Sequence, residues 1–176
     1  VEDNDSPGAA EGGPGDDGFG TLSGKDGADR YDGGSGNDYV GYWDRSANLK
    51  LSLDGKANDG AKNEGDSLSG SIERLYGGEG NDTLIGNNAP NGLNGEVGND
   101  VLKGLGGDDD LNEGDGNDTV FGGPGDDYLY NRAGEDKYYG GDGNDYLSAG
   151  SSADGRDVFS GGNDWDRIDY SGRTGA

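Results

Sequence analysis

Aspartate recurs at intervals of nine residues along most of this 176-residue chain, and these carboxylates are the groups best placed to do chemistry. Eight nonapeptides follow one another without a gap from Gly77 to Ser148, and five further units lie outside that tract. The sixth position is Asp in twelve of the thirteen units, with Asn91 as the exception. These residues are Asp17, Asp29, Asp38, Asp82, Asp100, Asp109, Asp118, Asp127, Asp136, Asp145, Asp157 and Asp166. Such rows of carboxylates favour hard cations, which prefer oxygen ligands.

The rest of the composition narrows the chemistry further. The formal charge is -24, which disfavours nucleic acid and anionic membrane surfaces as partners. The chain contains no Cys, His or Met, so thiolate or imidazole metal sites, disulfides, cysteine nucleophiles and histidine-dependent triads all lack their parts. No apolar stretch approaches the roughly 20 residues of a transmembrane helix. Oxygen is the only strong ligand type available.

The elements that position these carboxylates follow from the same period. The eighth position is apolar in all thirteen units, although only 27% of the chain is apolar. One apolar residue between two polar ones predicts a three-residue strand with a single inward side chain, and the 41 glycines predict tight turns between strands. The inward residues are Phe19, Tyr31, Val40, Leu84, Leu93, Leu102, Leu111, Val120, Leu129, Tyr138, Leu147, Phe159 and Ile168. A core one residue wide is too small to hold the chain together, so bound ions are expected to contribute to folding.

The units resemble the GGxGxDxUx nonapeptide of RTX calcium-binding proteins, as in GGEGNDTLI from Gly77 and GGDGNDYLS from Gly140. The resemblance covers about two thirds of the chain. It implies an all-β fold, a right-handed parallel β-roll solenoid with two nonapeptides per turn. It also implies that the GGxGxD segments are the turns, that the xUx triplets are the strands, and that several Ca²⁺ ions lie in the turns.

Stacking of the turns assigns candidate sites by alternation. At the strand spacing of about 4.8 Å, each sixth-position Asp lies beside that of the unit two further on, and the pair would repel without an intervening cation. The two series run from Asp82 to Asp136 and from Asn91 to Asp145, with six intervals, of which the one at Asn91 is expected to be weakest. The alternative is that Gly-Asn-Asp runs are only solvated turns. The resemblance adds carbonyl ligands, which we expect at Gly78, Gly80, Gly98, Gly107, Gly114, Gly116, Gly123, Gly125, Gly134, Gly141 and Gly143.

The period also suggests how the chain is organised. We expect an extension over 1–11, first repeats over 12–41, an insertion over 42–76 and the main repeat tract over 77–169. We expect 170–176 to begin a further module or to form a tail, because the sequence around Tyr42 and Arg45 recurs at Tyr170 and Arg173. The insertion contains an alternating strand and an acidic loop. That loop either binds a further ion or is a solvated acidic segment; its acidic residues are Asp54, Asp59, Glu64 and Asp66.

Three classes of function are compatible with these features. The first is a calcium-responsive module of a secreted bacterial protein, extracellular or at the cell surface, that folds on binding Ca²⁺. The second is a structural subunit of a filament, adhesin or matrix that assembles by head-to-tail stacking. The third is an enzyme, which we do not expect, because the repeat accounts for the carboxylates and no separate catalytic group stands out. Outward tyrosines, with Tyr128 and Tyr146 on one face, suggest either a strand ladder or a glycan or protein contact.

Overall fold

The computed structural model describes residues 8–20, 27–150 and 155–171, and these residues form β-strands and no helix. The short triplets of the sequence are the strands, because each places one apolar side chain inward and the glycine-rich segments turn the chain. The strands are β1 (Ala9–Pro14), β2 (Gly18–Gly20), β3 (Arg30–Ser35), β4 (Tyr39–Gly41), β5 (Leu49–Ser52), β6 (Gly60–Ala61), β7 (Ser67–Leu68), β8 (Arg74–Tyr76), β9 (Thr83–Ile85), β10 (Gly92–Asn94), β11 (Val101–Lys103), β12 (Asp110–Asn112), β13 (Thr119–Pro124), β14 (Tyr128–Tyr130), β15 (Lys137–Asp142), β16 (Tyr146–Ser148), β17 (Val158–Asn163) and β18 (Arg167–Asp169).

Successive strands alternate between two parallel sheets. One sheet has the order β18-β16-β14-β12-β10-β8-β4-β2, and the other has the order β17-β15-β13-β11-β9-β5-β6. Leu93 pairs with Leu111, eighteen residues on, so one turn contains two nonapeptides. The offset grows to 21 where Tyr146 pairs with Arg167, which accommodates three extra residues without a change of topology. The predicted all-β parallel β-roll is confirmed, with about seven turns.

Two features depart from this alternation. Strands β1, β3 and β7 form a third, three-stranded parallel sheet over the first turns. Strand β6 pairs antiparallel with β5 at the edge of the second main sheet. Both lie in or beside the part of the sequence where the ninefold period is interrupted.

The core is two stacked columns of eighth-position residues. Leu84, Leu102 and Val120 are fully buried in one column, and Leu93, Leu111 and Leu129 are at most 1% exposed in the other. The last units differ, because Phe159 is only half-buried and Ile168 is 38% exposed on the terminal strand β18. A column of single side chains therefore holds the two sheets together.

In the acidic loop of the insertion, Asp54 is exposed, whereas the side chains of Asp59, Glu64 and Asp66 are buried, so the loop is not simply a solvated acidic segment. The Asp59 and Asp66 side chains are buried, and Asp59 accepts hydrogen bonds from the backbone of Ser52 and Leu68. The Tyr42 hydroxyl donates to Oδ2 of Asp66 at 2.8 Å. Buried Glu64 forms an ion pair with Arg45. The three buried acids contact protein groups and fix the loop against the roll.

Candidate metal-binding turns

The sixth-position aspartates form a hydrogen-bonded ladder along each edge of the roll. In most turns, the N–H of the sixth residue donates to Oδ1 of the equivalent Asp one turn further on. The N–H of Asp82 donates to Asp100 at 2.7 Å, and the N–H of Asp100 donates to Asp118 at 2.6 Å. On the opposite edge, the N–H of Asp109 donates to Asp127 at 2.9 Å. One carboxylate oxygen in each turn is therefore used to fix the distance to the preceding turn.

The second carboxylate oxygen of most of these residues has no protein partner. Seven sixth-position aspartates have a buried Oδ2 atom without a hydrogen bond. These are Asp17, Asp38, Asp100, Asp109, Asp118, Asp127 and Asp145. Burial of a polar atom without a partner is costly, and for a charged oxygen the cost is larger still. Either a proton or a bound cation must satisfy this row of oxygens.

Burial also changes the acidity of these carboxyl groups. It raises the pKa of Asp100, Asp109 and Asp118 to about 7, and that of Asp127 to about 6. The hydrogen bonds from backbone N–H groups lower the pKa, and carboxylates in adjacent turns raise it further. The protein alone therefore destabilises the charged form, and a cation in the turns would restore it.

First-position glycines make room for the carboxylates. A Cβ atom on Gly104 would lie 2.0 Å from Oδ2 of Asp109, and one on Gly140 would lie 2.0 Å from Oδ2 of Asp145. These first-position glycines do not have a positive φ, which occurs instead at the second and fourth positions. Glycine occupies the first position because the Asp carboxylate leaves no space there for a Cβ atom.

Fourth-position glycines bring backbone carbonyls close to the next turn. A Cβ atom on Gly116 would lie 1.5 Å from the carbonyl oxygen of Gly98, and one on Gly143 would lie 2.1 Å from that of Gly125. Gly98 and Gly125 have φ values of 146° and 142°, which residues with a Cβ atom rarely adopt. Carbonyl oxygens thus line the same stacked turns as the buried carboxylates.

The second position requires a positive φ even where the residue is not glycine. Glu96 and Leu105 take the place of the second glycine and have φ values of 74° and 80°. The turn is kept at Leu105 because the leucine adopts the left-handed region. Such a residue is strained by about 1–2 kcal/mol.

A second ladder, which the sequence did not predict, follows the exposed fifth position. Oδ1 of Asn81 accepts from the N–H of Asn99 at 2.7 Å, and Oδ1 of Asn99 accepts from the N–H of Asn117 at 2.8 Å. On the other edge, Oδ1 of Asp126 accepts from the N–H of Asn144 at 2.7 Å. The fifth-position ladder and the sixth-position ladder run in opposite directions, so each pair of turns is held by both.

The predicted aspartate ligands differ in how completely the protein satisfies them. Asp82 accepts from the N–H groups of Leu49 and Gly78, both at 2.8 Å, and Asn91 accepts from the N–H of Asn87 at 2.7 Å. Those two sixth-position residues have less need of an ion than the seven aspartates with an unpartnered Oδ2.

The outer units extend the same ladder. Oδ1 of Asp157 accepts from the N–H of Asp136 at 3.3 Å, and Oδ1 of Asp166 accepts from the N–H of Asp145 at 3.2 Å. Beside the three-stranded sheet of β1, β3 and β7, Oδ1 of Asp29 accepts from the N–H of Gly8 at 2.6 Å. These contacts place all twelve predicted aspartates in the turns, but they do not show which turns bind an ion.

Two acidic residues missing from the predicted set occupy sixth positions. The N–H of Asp38 donates to Oε2 of Glu73 at 2.8 Å, and the N–H of Asp29 donates to Oδ1 of Asp66 at 3.0 Å. A signal was present for Glu73, because the frame of nine continues one unit upstream of Gly77 with Leu75 at the eighth position. Asp66 precedes Leu68 by two residues in the same way.

An oxygen-binding cation suits this arrangement. Buried carboxylate oxygens and backbone carbonyls converge in each turn, whereas no three carboxylates meet at one point within the described ranges. Ca²⁺ accepts six to eight oxygens in flexible geometry, and backbone carbonyls are among its usual ligands. The turns therefore fit calcium better than a smaller ion that demands a strict octahedron.

The comparison with known families agrees with this geometry. The RTX calcium-binding nonapeptide repeat, in four copies, matches residues 10–40, 68–89, 91–112, 114–138, 133–154 and 139–172. The chain belongs to the RTX calcium-binding repeat family. The match from residue 68 includes the unit of Glu73. None of the curated proteins matches the chain.

Outside the turns, the RTX roll carries aromatic rows on both sheets. The ring of Tyr128 stacks on that of Tyr146 at a centroid distance of 4.5 Å and contacts that of Tyr130 at 4.4 Å. Phe121 and Tyr139 stack at 5.0 Å on the other sheet. The predicted neighbours on one face are thus neighbours in the structure, as cross-strand ladders would place them. In the part of the chain that the structure describes, no helix could span a membrane.

Proposed function

We propose that this chain is a calcium-binding module that folds on binding Ca²⁺ and belongs to a secreted bacterial protein. The observation that carries the proposal is the row of buried Oδ2 atoms without hydrogen bonds, at Asp100, Asp118, Asp109 and Asp127 among others. A cation in each turn would satisfy these atoms and remove the repulsion between stacked carboxylates.

The rest of the fold supports coupling between binding and folding. The core is only one side chain wide in each column, with residues such as Leu111 and Leu129 buried one per turn. The formal charge of -24 opposes compaction until cations neutralise part of it. A module of this kind would be expanded where calcium is scarce and rigid outside the cell, where calcium is plentiful.

Calcium titration followed by circular dichroism and small-angle scattering tests the proposal. We expect metal-stripped protein at neutral pH to be expanded and poor in β-structure, and to become compact and β-rich as Ca²⁺ is added. Mg²⁺ at the same concentration is the control and should produce little change, because it retains its waters. A β-rich, compact state that persists after complete metal removal would contradict coupled folding.

A second candidate is a structural role through end-to-end stacking. Among the described residues, strand β18 is the last of its sheet, and its inward residue Ile168 is 38% exposed, whereas Leu147 one turn earlier is fully buried. An edge strand in a parallel sheet can pair with another strand. Sedimentation with and without Ca²⁺ tests this candidate: concentration-dependent assemblies would support it, and a monomer at all concentrations would exclude it.

The tyrosine rows support a further contact surface, of a glycan or a protein. Tyr128 is 37% exposed and lies against Tyr130 and Tyr146 on the outside of the roll. Exposed aromatic rings on a flat sheet can stack against a ligand. Glycan-array binding by the calcium-loaded roll, compared with a Tyr128→Ser variant, tests it, and equal binding by both proteins would rule out a role for this row.

A further inference from the structure

The first position of the repeat is occupied by large polar residues in two consecutive turns of one edge. Glu113 and Asn131 stand where Gly77 and Gly95 stand in the preceding turns. Glu113 is fully buried and Asn131 is 5% exposed. Two side chains have therefore been added inside turns that elsewhere leave room only for the sixth-position carboxylate.

These added side chains bring oxygen atoms that the protein leaves unsatisfied. Oε2 of Glu113, Oδ1 of Asn131 and the hydroxyl of Tyr138 are all buried, and none of them has a hydrogen-bond partner at normal distance. The other Glu113 oxygen, Oε1, accepts from the N–H of Arg132. Three unpartnered oxygens from two successive turns are unusual in a folded interior, where buried polar groups are nearly always paired.

The three oxygen atoms belong to one place in the roll. The Tyr138 hydroxyl, at an eighth position, lies beside the side chains of Glu113 and Asn131 and interacts with both, although neither is close enough for a hydrogen bond of normal length. Nδ2 of Asn131 is 3.5 Å from Oδ2 of Asp136, so this amide also borders the sixth-position carboxylate of its own unit. The cluster thus continues the row of candidate sites towards the core.

The charge at this place is not balanced by the protein. Glu113 forms no ion pair within residues 8–20, 27–150 and 155–171, and Asp136 adds a second carboxylate nearby. The side chain of Arg132 is exposed, and its Nε atom is directed to Asn112. Removing a carboxylate from water without a partner is strongly unfavourable, so a cation is the simplest occupant.

We infer that Glu113, Asn131 and Tyr138 add side-chain ligands to one turn of the roll and make it a distinct calcium site, tighter than the others. This inference rests on the proposed function. The ordinary turns offer one carboxylate per turn with backbone carbonyls, whereas this turn offers Asp136 and Glu113 together with amide and hydroxyl oxygens. Calcium affinity rises with the number of charged ligands and with the rigidity of the site.

Glu113→Gln tests the added ligand with the smallest change of shape. In the wild type we expect one ion to bind more tightly than the rest in isothermal titration calorimetry with CaCl₂. In Glu113→Gln the dissociation constant of that ion should rise about tenfold or more, while the remaining ions keep their affinity. The matched control is Glu135→Gln, which removes an exposed carboxylate from the same turn and should leave every dissociation constant unchanged.

Glu113→Gly covers the case in which glutamine disturbs the buried cluster, because it restores the residue that most units carry at this position. It should fold in calcium, bind one fewer tight ion and unfold at a lower midpoint temperature than the wild type in saturating calcium. The inference is overturned if both Glu113 variants bind all ions as tightly as the wild type, or if both are more stable than the wild type with an unchanged ion count. A wild type that binds no calcium would instead overturn the proposed function itself.

Discussion

The N–H of Asp109 donates to Oδ1 of Asp127 at 2.9 Å, and Oδ2 of Asp127 is buried without a partner. Each such carboxylate therefore has one oxygen that fixes the spacing of the turns and one that faces a candidate ion. A substitution that keeps Oδ1 but removes the charged Oδ2 should therefore weaken ion binding without changing the spacing of the turns.

Asp127→Asn keeps Oδ1 and replaces the unpartnered oxygen with an amide. We expect the affinity for at least one calcium ion to fall about tenfold or more, since a charged ligand is lost. Asp126→Asn is the control, because Asp126 is the adjacent, exposed residue and its Oδ1 acceptor for Asn144 is retained. Calorimetry with CaCl₂ measures both. Equal affinities in the two variants would mean that the sixth position does not bind the ion.

Gly104→Ala tests why the first position is glycine. Gly104 does not have a positive φ, but a Cβ atom there would lie 2.0 Å from Oδ2 of Asp109. We expect this variant to displace the carboxylate, lowering both calcium affinity and thermal stability. Gly106→Ala, two residues on, is the control, because its Cβ would come no closer than 3.4 Å to any atom. A similar loss in both variants would indicate a general effect of glycine removal.

Leu105→Gly should stabilise the calcium-loaded roll by about 1 kcal/mol, because glycine adopts the left-handed conformation without strain. Leu105 has a φ of 80° and is 44% exposed, so little packing is lost. The midpoint of thermal unfolding in calcium measures the gain. Val97→Gly, at an exposed third position without positive φ, is the control and should give no gain. A fall in stability at Leu105 would show that its side chain contributes more than its strain costs.

Asn99→Ala removes one step of the fifth-position ladder, whose Oδ1 accepts from the N–H of Asn117. We expect a loss of about 0.5–1.5 kcal/mol in the free energy of unfolding, the usual contribution of one hydrogen bond. Asn99→Asp keeps the acceptor and should retain most of that stability. Denaturant unfolding in saturating calcium measures both variants. The prediction would be contradicted if alanine were no worse than aspartate.

The sequence alone predicted the features that repeat with the period, and the structure explains why others were missed. The eighth-position column and the stacked aspartates follow from a spacing of nine, because each turn repeats the preceding one. Glu73 was missed because it replaces Asp where the frame had been taken as broken. Asp82 could not be distinguished from Asp100, because its extra partner, Leu49, lies on a strand outside the repeat. The burial of Glu113 depends on space inside the turn, which spacing does not report.

Acidification should favour the metal-free roll. Burial raises the folded-state pKa of Asp100, Asp109 and Asp118 to about 7, above the value of about 3.9 for an unfolded Asp. The folded state therefore binds more protons, so these groups contribute a stability that is fully present below about pH 4 and is lost as the pH rises through about 7.

Circular dichroism of metal-stripped protein between pH 4.5 and 7.5 measures this effect, with dialysed protein in place of a chelator, because chelators bind calcium weakly in acid. We expect β-structure to increase as the pH falls. The control is the same series in saturating Ca²⁺, where the signal should be high at neutral pH and gain little on acidification, because the ion already offsets the charge. A metal-free roll that becomes more stable as the pH rises would mean that the carboxylates are satisfied without a cation, which the buried Oδ2 atoms argue against.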